Sequence, residues 1–86
     1  MRDVVFKGTS FDDFNEWSVI SKKIFKRITE LIEAARRNPF DGIEKPEALK
    51  HQLKGCWSRR INNEHRLVYK VTEGSIEIIS CKYHYS

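Results

Sequence analysis

Four clusters of polar residues in this chain could carry chemistry: Glu44-Lys45-Pro46-Glu47-Ala48-Leu49-Lys50-His51, Ser58-Arg59-Arg60, Glu64-His65-Arg66, and the closing Lys82-Tyr83-His84-Tyr85-Ser86. The last occupies a place where chains ordinarily fray. Here it continues a strand-like run, Ser75 to Cys81, so a sheet can hold His84 and Tyr85 still. A fixed histidine titrates near neutral pH and can donate a proton there. Glu47 has two readings. It can pair with Lys50, which is worth little on an exposed surface, or serve as a general base kept ionised by nearby cations. Lys50, Arg60, Arg66, Lys82 and His84 can all border one surface of a small sheet. Crowded like charges repel, and a surface that keeps them together is suited to an anion.

These residue types are the ones that metal-free RNA cleavage requires. The 2′-hydroxyl can attack its own neighbouring phosphate if a base takes its proton, cations stabilise the extra charge on phosphorus, and an acid protonates the leaving 5′ oxygen. Glu47 suits the first role, Arg60 and Arg66 with Lys50 the second, and His84 the third. DNA has no 2′-hydroxyl, so such machinery acts on RNA. No Cys/His/Asp spacing suggests a metal and no glycine-rich phosphate loop occurs, so no cofactor is expected. His51 and His65 read as ordinary polar residues, a lone arginine as a solvated surface residue, and Trp57 and Phe40 as core or loop anchors.

The elements that must position these groups can be read from periodicity. Val4-Val5-Phe6 reads as a first strand, and Ser10 as the N-cap of a short helix carrying Phe11, Phe14 and Trp17. A second helix puts Ile24, Phe25, Ile28, Leu31, Ile32 and Ala35 on one face. Arg36-Arg37 suits its C-terminal dipole, and Pro39 ends it. Residues 40–49 read as a loop. Strands at Trp57 to Ile61 and His65 to Val71 flank the turn Asn62-Asn63-Glu64, and Thr72-Glu73-Gly74 leads to the last strand. Leu67, Tyr69 and Val71 then face the helices, while Arg66, Val68 and Lys70 face the open side. The expectation is an α+β fold of order β-α-α-β-β-β, with an antiparallel sheet and both helices on one face.

Bulk properties agree with a small basic domain. Its 86 residues make a single domain, 1–86. Sixteen Lys plus Arg against twelve Asp plus Glu give +4, and with 12% aromatic residues this favours a nucleic acid partner. The N-terminus lacks the apolar run of a signal peptide, and no stretch approaches a membrane span. Cys56 and Cys81 have no framework spacing and read as free, small core residues in a reducing cytoplasm.

The dense run Lys45-Pro46-Glu47-Ala48-Leu49-Lys50-His51, then Trp57-Ser58-Arg59-Arg60-Ile61, Glu64-His65-Arg66-Leu67-Val68-Tyr69 and Cys81-Lys82-Tyr83-His84-Tyr85 resembles the YoeB toxins of the RelE-like superfamily, end to end. The chain departs from them mildly: Cys56 stands where an aromatic is common, Lys82 where arginine is, and Ser86 comes after the usual last tyrosine. The resemblance implies an mRNA interferase acting in the ribosomal A site, with the compact RelE-like fold. It further implies Glu47 as general base, His84 as general acid, Arg66 as the main phosphate stabiliser assisted by Arg60 and Lys50, and Tyr85 as a residue shaping the site. The implied partners are a YefM-like antitoxin, the ribosome and mRNA, a second copy when free, and promoter DNA through the antitoxin. A ParE-like toxin, acting on gyrase by protein contact, is the alternative on the same fold.

Overall fold

The apolar residues spaced between Ile24 and Ala35 become the inner stripe of a 16-residue helix, α2 (Lys22–Arg37). Ile28, Leu31 and Ala35 on it are fully buried. The Ser21 hydroxyl caps it by accepting from Ile24 N at 3.2 Å. Pro39 stands just beyond its C-cap, Asn38, which is extended. In this computed structural model, which describes residues 1–83, the remaining elements are β1 (Asp3–Phe6), α1 (Ser10–Ile20), β2 (Glu47–Ala48), a 3-10 turn (His51–Leu53), β3 (Cys56–Arg60), β4 (Arg66–Val71) and β5 (Ser75–Ser80).

The strands form one sheet in the order β1-β5-β4-β3-β2. Leu67, Tyr69, Ile76 and Ile78 on its inner face pack with Trp17, Ile28, Leu31 and Ile32 of the two helices. The fold class and both hairpins are those expected, but four details differ. The sheet is mixed, because β1 pairs with β5 in parallel, Val4 opposite Ile76 and Phe6 opposite Ile78. Residues 40–49 are not all loop: Glu47 and Ala48 pair antiparallel with Ser58 and Trp57, adding an edge strand. Ser10 is not the N-cap of α1. Thr9 holds that position without a side-chain bond, while the buried Ser10 hydroxyl donates to Ile78 O at 2.9 Å and ties α1 to β5. Val68, expected on the open face, is fully buried. It lies on the central strand between Arg66 and Lys70, whose long aliphatic stems can cover a short β-branched neighbour.

A bulge lies between β4 and β5: Val68 faces Ser80, but Tyr69 faces Ile78, leaving Ile79 unpaired. Bulges bend a strand and re-aim the residues beyond it. Both cysteines are free and buried, as expected. Burial pushes the Cys81 thiol up to about 12, Asp13 adding to the effect and Lys82 opposing it. The thiolate is the reactive form, so Cys81 in the folded chain should resist iodoacetamide at pH 8 and react once denaturant is added. Rapid native labelling of Cys81, read by mass spectrometry, would contradict this packing. Among the described residues no helix is long and apolar enough to cross a membrane.

Candidate active site

The edge strand β2 is what brings an acid to the basic face. Glu47 pairs with Ser58, and Ser58 with Val68. Two residues along β3 and β4, and so in the same alternation phase, Arg60 pairs directly with Arg66. Strands lie about 4.8 Å apart and rise about 3.4 Å per residue, so the Glu47 and Arg66 backbones stand about 12 Å apart across one face. Both residues line the same space. Two arginines placed directly opposite one another cost stability, so this pair is an arrangement suited to a bound anion.

The enclosed space is a cleft of about 660 Å³, lined by Glu44, Lys45, Glu47, Leu49, Ser58, Arg60 and Arg66. The structure therefore brings together three of the expected residues, Glu47, Arg60 and Arg66. Lys50 is exposed beside the 3-10 turn and is not on the cleft wall. Of the two readings of Glu47, the ion pair with Lys50 does not occur among the described residues. Lys82 instead lies over the Tyr83 ring, 5.2 Å from its centroid. His84 and Tyr85 lie outside the described residues. Ser58 and Leu49, which belong to the polar clusters but were given no role of their own, complete the wall. Their contribution depends on β2, whose two residues carry no periodicity of their own.

The arginines are oriented by the β3–β4 turn. Asn62 Oδ1 accepts from Glu64 N at 2.9 Å and His65 N at 2.8 Å, closing the turn on its own side chain. Asn62 O in turn accepts from Arg66 Nη1 at 2.6 Å, and His65 O accepts from the same nitrogen at 3.1 Å. Arg60 Nη2 donates to Asn63 Oδ1. One turn thus holds both guanidinium groups from behind.

Arg59 is the largest departure from the sequence reading. It is fully buried, not a solvated surface arginine. In phase with Trp57, it points to the inner side, and no carboxylate pairs with it among the described residues. Its charge is met by dipoles. Nε donates to Tyr69 Oη at 3.0 Å, Nη1 to Ile43 O at 3.0 Å, and Nη2 to Asn38 O at 2.6 Å and Asp41 O at 3.0 Å. Tyr69 Oη donates onward to Pro39 O at 2.7 Å. Burial pushes the Tyr69 hydroxyl pKa up against the opposing pull of Arg59. This network pins residues 38–43, the segment leading to Glu44 and Lys45 on the cleft rim. Gly42 adopts φ 111°, a backbone conformation that strains residues with a Cβ, so glycine suits this turn.

Backbone strain gathers around the cleft. Glu44 (φ 58°) and Lys45 (φ 37°) line it, His51 (φ 57°) comes directly after Lys50, and Tyr83 (φ 66°) ends the described tail. Non-glycine residues in this region cost on the order of 1–3 kcal/mol each and cluster at functional sites. Glu44 is held by Arg27 at 2.5 Å. Among the described residues, no three His, Cys, Asp or Glu side chains converge as a metal site would require.

The sequence profile described as YoeB-like toxin of bacterial type II toxin–antitoxin system matches residues 6–85. Toxin YoeB of Escherichia coli K12 is 52% identical over 82 residues, 95% of this chain and 98% of that protein. Among solved structures, a YoeB–YefM complex from Staphylococcus aureus superposes with TM-score 0.89 at 46% identity, covering 99% of both chains. A YoeB dimer from the same organism gives TM-score 0.89 at 47% identity over 98% of both chains.

Proposed function

This chain belongs to the YoeB-like toxin family of bacterial type II toxin–antitoxin systems, and we propose that it is a ribosome-dependent mRNA interferase. The observation that supports this most is the meeting of Glu47 with Arg60 and Arg66 on one cleft. In the proposed reaction Glu47 takes the proton of a ribose 2′-hydroxyl. The freed oxygen attacks the adjacent phosphorus, and Arg66 with Arg60 stabilises the charge that builds on the phosphoryl oxygens. The bond to the 5′ oxygen breaks as His84 gives that oxygen a proton. The products are a 2′,3′-cyclic phosphate and a 5′-hydroxyl, with no metal in the scheme. Lys50 contributes positive potential from outside the cleft, and Tyr85 shapes the site on the tail side.

The partners belong to the same reading. The S. aureus YoeB that this chain resembles occurs in complex with YefM and as a dimer. We assign this chain a YefM-like antitoxin and a homodimeric free state, with the antitoxin linking the pair to promoter DNA. A chain of net charge +4 is suited to the phosphate-rich A site of a cytoplasmic ribosome.

Expression without antitoxin should arrest growth, and mRNA 5′ ends should gather at codons that occupied the A site. Glu47→Ala or His84→Ala should relieve the arrest. Intact mRNA accompanied by DNA damage would replace this reading with gyrase inhibition. Full toxicity of both variants would remove the catalytic assignment.

A further inference from the structure

We infer that His65 is a positioning residue, a buried latch that fixes the C-terminal tail against Arg66. Its consequence for catalysis rests on the cleavage reading, its existence on geometry alone. Tyr83 is held through its main chain at both ends: its N–H donates to His65 Nδ1 at 2.8 Å, and its carbonyl accepts from Arg66 N at 2.9 Å. Little else favours this placement of Tyr83. Its side chain is 61% exposed, so burial of its own ring is a weak anchor. Its φ of 66° is a conformation that costs a residue with a Cβ free energy rather than gaining it. The Lys82 contact over its exposed ring is a weak anchor too, so the two hydrogen bonds hold the main chain there, and of their two partners only the imidazole is a side chain.

His65 is itself set rigidly. It is 6% exposed, and its ring stands edge-on to Trp17 with centroids 4.8 Å apart. Trp17 Nε1 donates to Cys81 O at 3.0 Å, so the same pair of rings holds the tail at two points. The position shares the inner face of its strand with Leu67 and Tyr69, where an apolar residue would pack without a polar group to satisfy. A histidine there supplies an acceptor. Nδ1 can accept only as a lone pair, so the ring is neutral with its proton on Nε2, which faces Glu64 Oε1 at 3.7 Å. The latch thereby couples the strand carrying Arg66 to the peptide that leads into His84, the next residue of the chain.

The test separates the acceptor from the ring. His65→Phe keeps a buried ring and removes the acceptor. His65→Asn keeps an oxygen near the Nδ1 position, and His65→Gln moves it towards Nε2. In the full chain, Tyr83 amide exchange should speed roughly tenfold or more in His65→Phe and His65→Gln, with core amides of β4 and β5 unchanged, and return towards wild type in His65→Asn. On programmed ribosomes, His65→Phe should lower kcat about 10- to 100-fold at unchanged KM, as a small misplacement does. It should cost nothing further in a His84→Ala background, because it acts through the tail. Unchanged Tyr83 exchange, or full activity in both His65→Phe and His65→Gln, overturns the latch. If His65→Phe fails to fold, His65→Gln against His65→Asn decides. Wild-type chain that cuts nothing overturns the cleavage reading, and the exchange measurement still judges the latch.

Discussion

Glu47→Gln should lower the single-turnover rate of mRNA cleavage on the ribosome by about 10²- to 10⁴-fold, the span typical of a lost general base. The substitution keeps shape and hydrogen bonding but removes the ability to hold a proton. Glu47 is exposed on a two-residue edge strand, so stability should move by less than about 0.5 kcal/mol. Ribosome binding should persist, because it depends on cations that remain. The pH profile gives a second check. In wild type, cleavage needs an ionised base and a protonated acid, so the rate falls on both sides of an optimum. The acid-side fall should vanish in Glu47→Gln and the alkaline-side fall in His84→Ala. Unaltered cleavage and an unaltered profile in Glu47→Gln would place the base elsewhere.

Arg59→Met should cost about 3–5 kcal/mol of stability, through loss of several hydrogen bonds from a charged donor and stranding of their acceptors. Methionine fills much of the volume, but Asn38 O, Asp41 O, Ile43 O and Tyr69 Oη lose their donor. Domains are stable by only about 5–15 kcal/mol in total, so this single change removes a large share. Arg59→Lys should recover only part of the loss, since one ammonium cannot reach positions that a planar fork spans. Because the network pins the approach to Glu44 and Lys45, the variant should also lose cleavage below its melting point. Urea unfolding midpoints check the first claim. A midpoint equal to wild type would show that water replaces the arginine at no cost.

Much of this could be read from residue order. The period of α2 marks its buried face, and the Asn62-Asn63-Glu64 turn with alternation places Arg60 and Arg66 together, as their pairing across β3 and β4 bears out. Glu47 is different. A two-residue strand has no period, and its position depends on pairing with β3 rather than on any local preference. The parallel β1–β5 pair is likewise a contact between the two ends of the chain, without a local signal. Arg59 and His65 show another kind of miss. Their phase with Trp57, Leu67 and Tyr69 already points inward, but charge and polarity suggest the surface. Burial wins because backbone carbonyls and the tail's own amide satisfy them.

The central claim is that the attacking group is the RNA's own 2′-hydroxyl, drawn into a cleft that holds Glu47 and Arg66. The direct measurement is cleavage of ribosome-bound mRNA carrying a single 2′-deoxy nucleotide on the 5′ side of the scissile phosphate. The account predicts no cut at that bond, and a 2′,3′-cyclic phosphate at the same bond in unmodified mRNA. Cleavage of the deoxy substrate at the unmodified rate would contradict it.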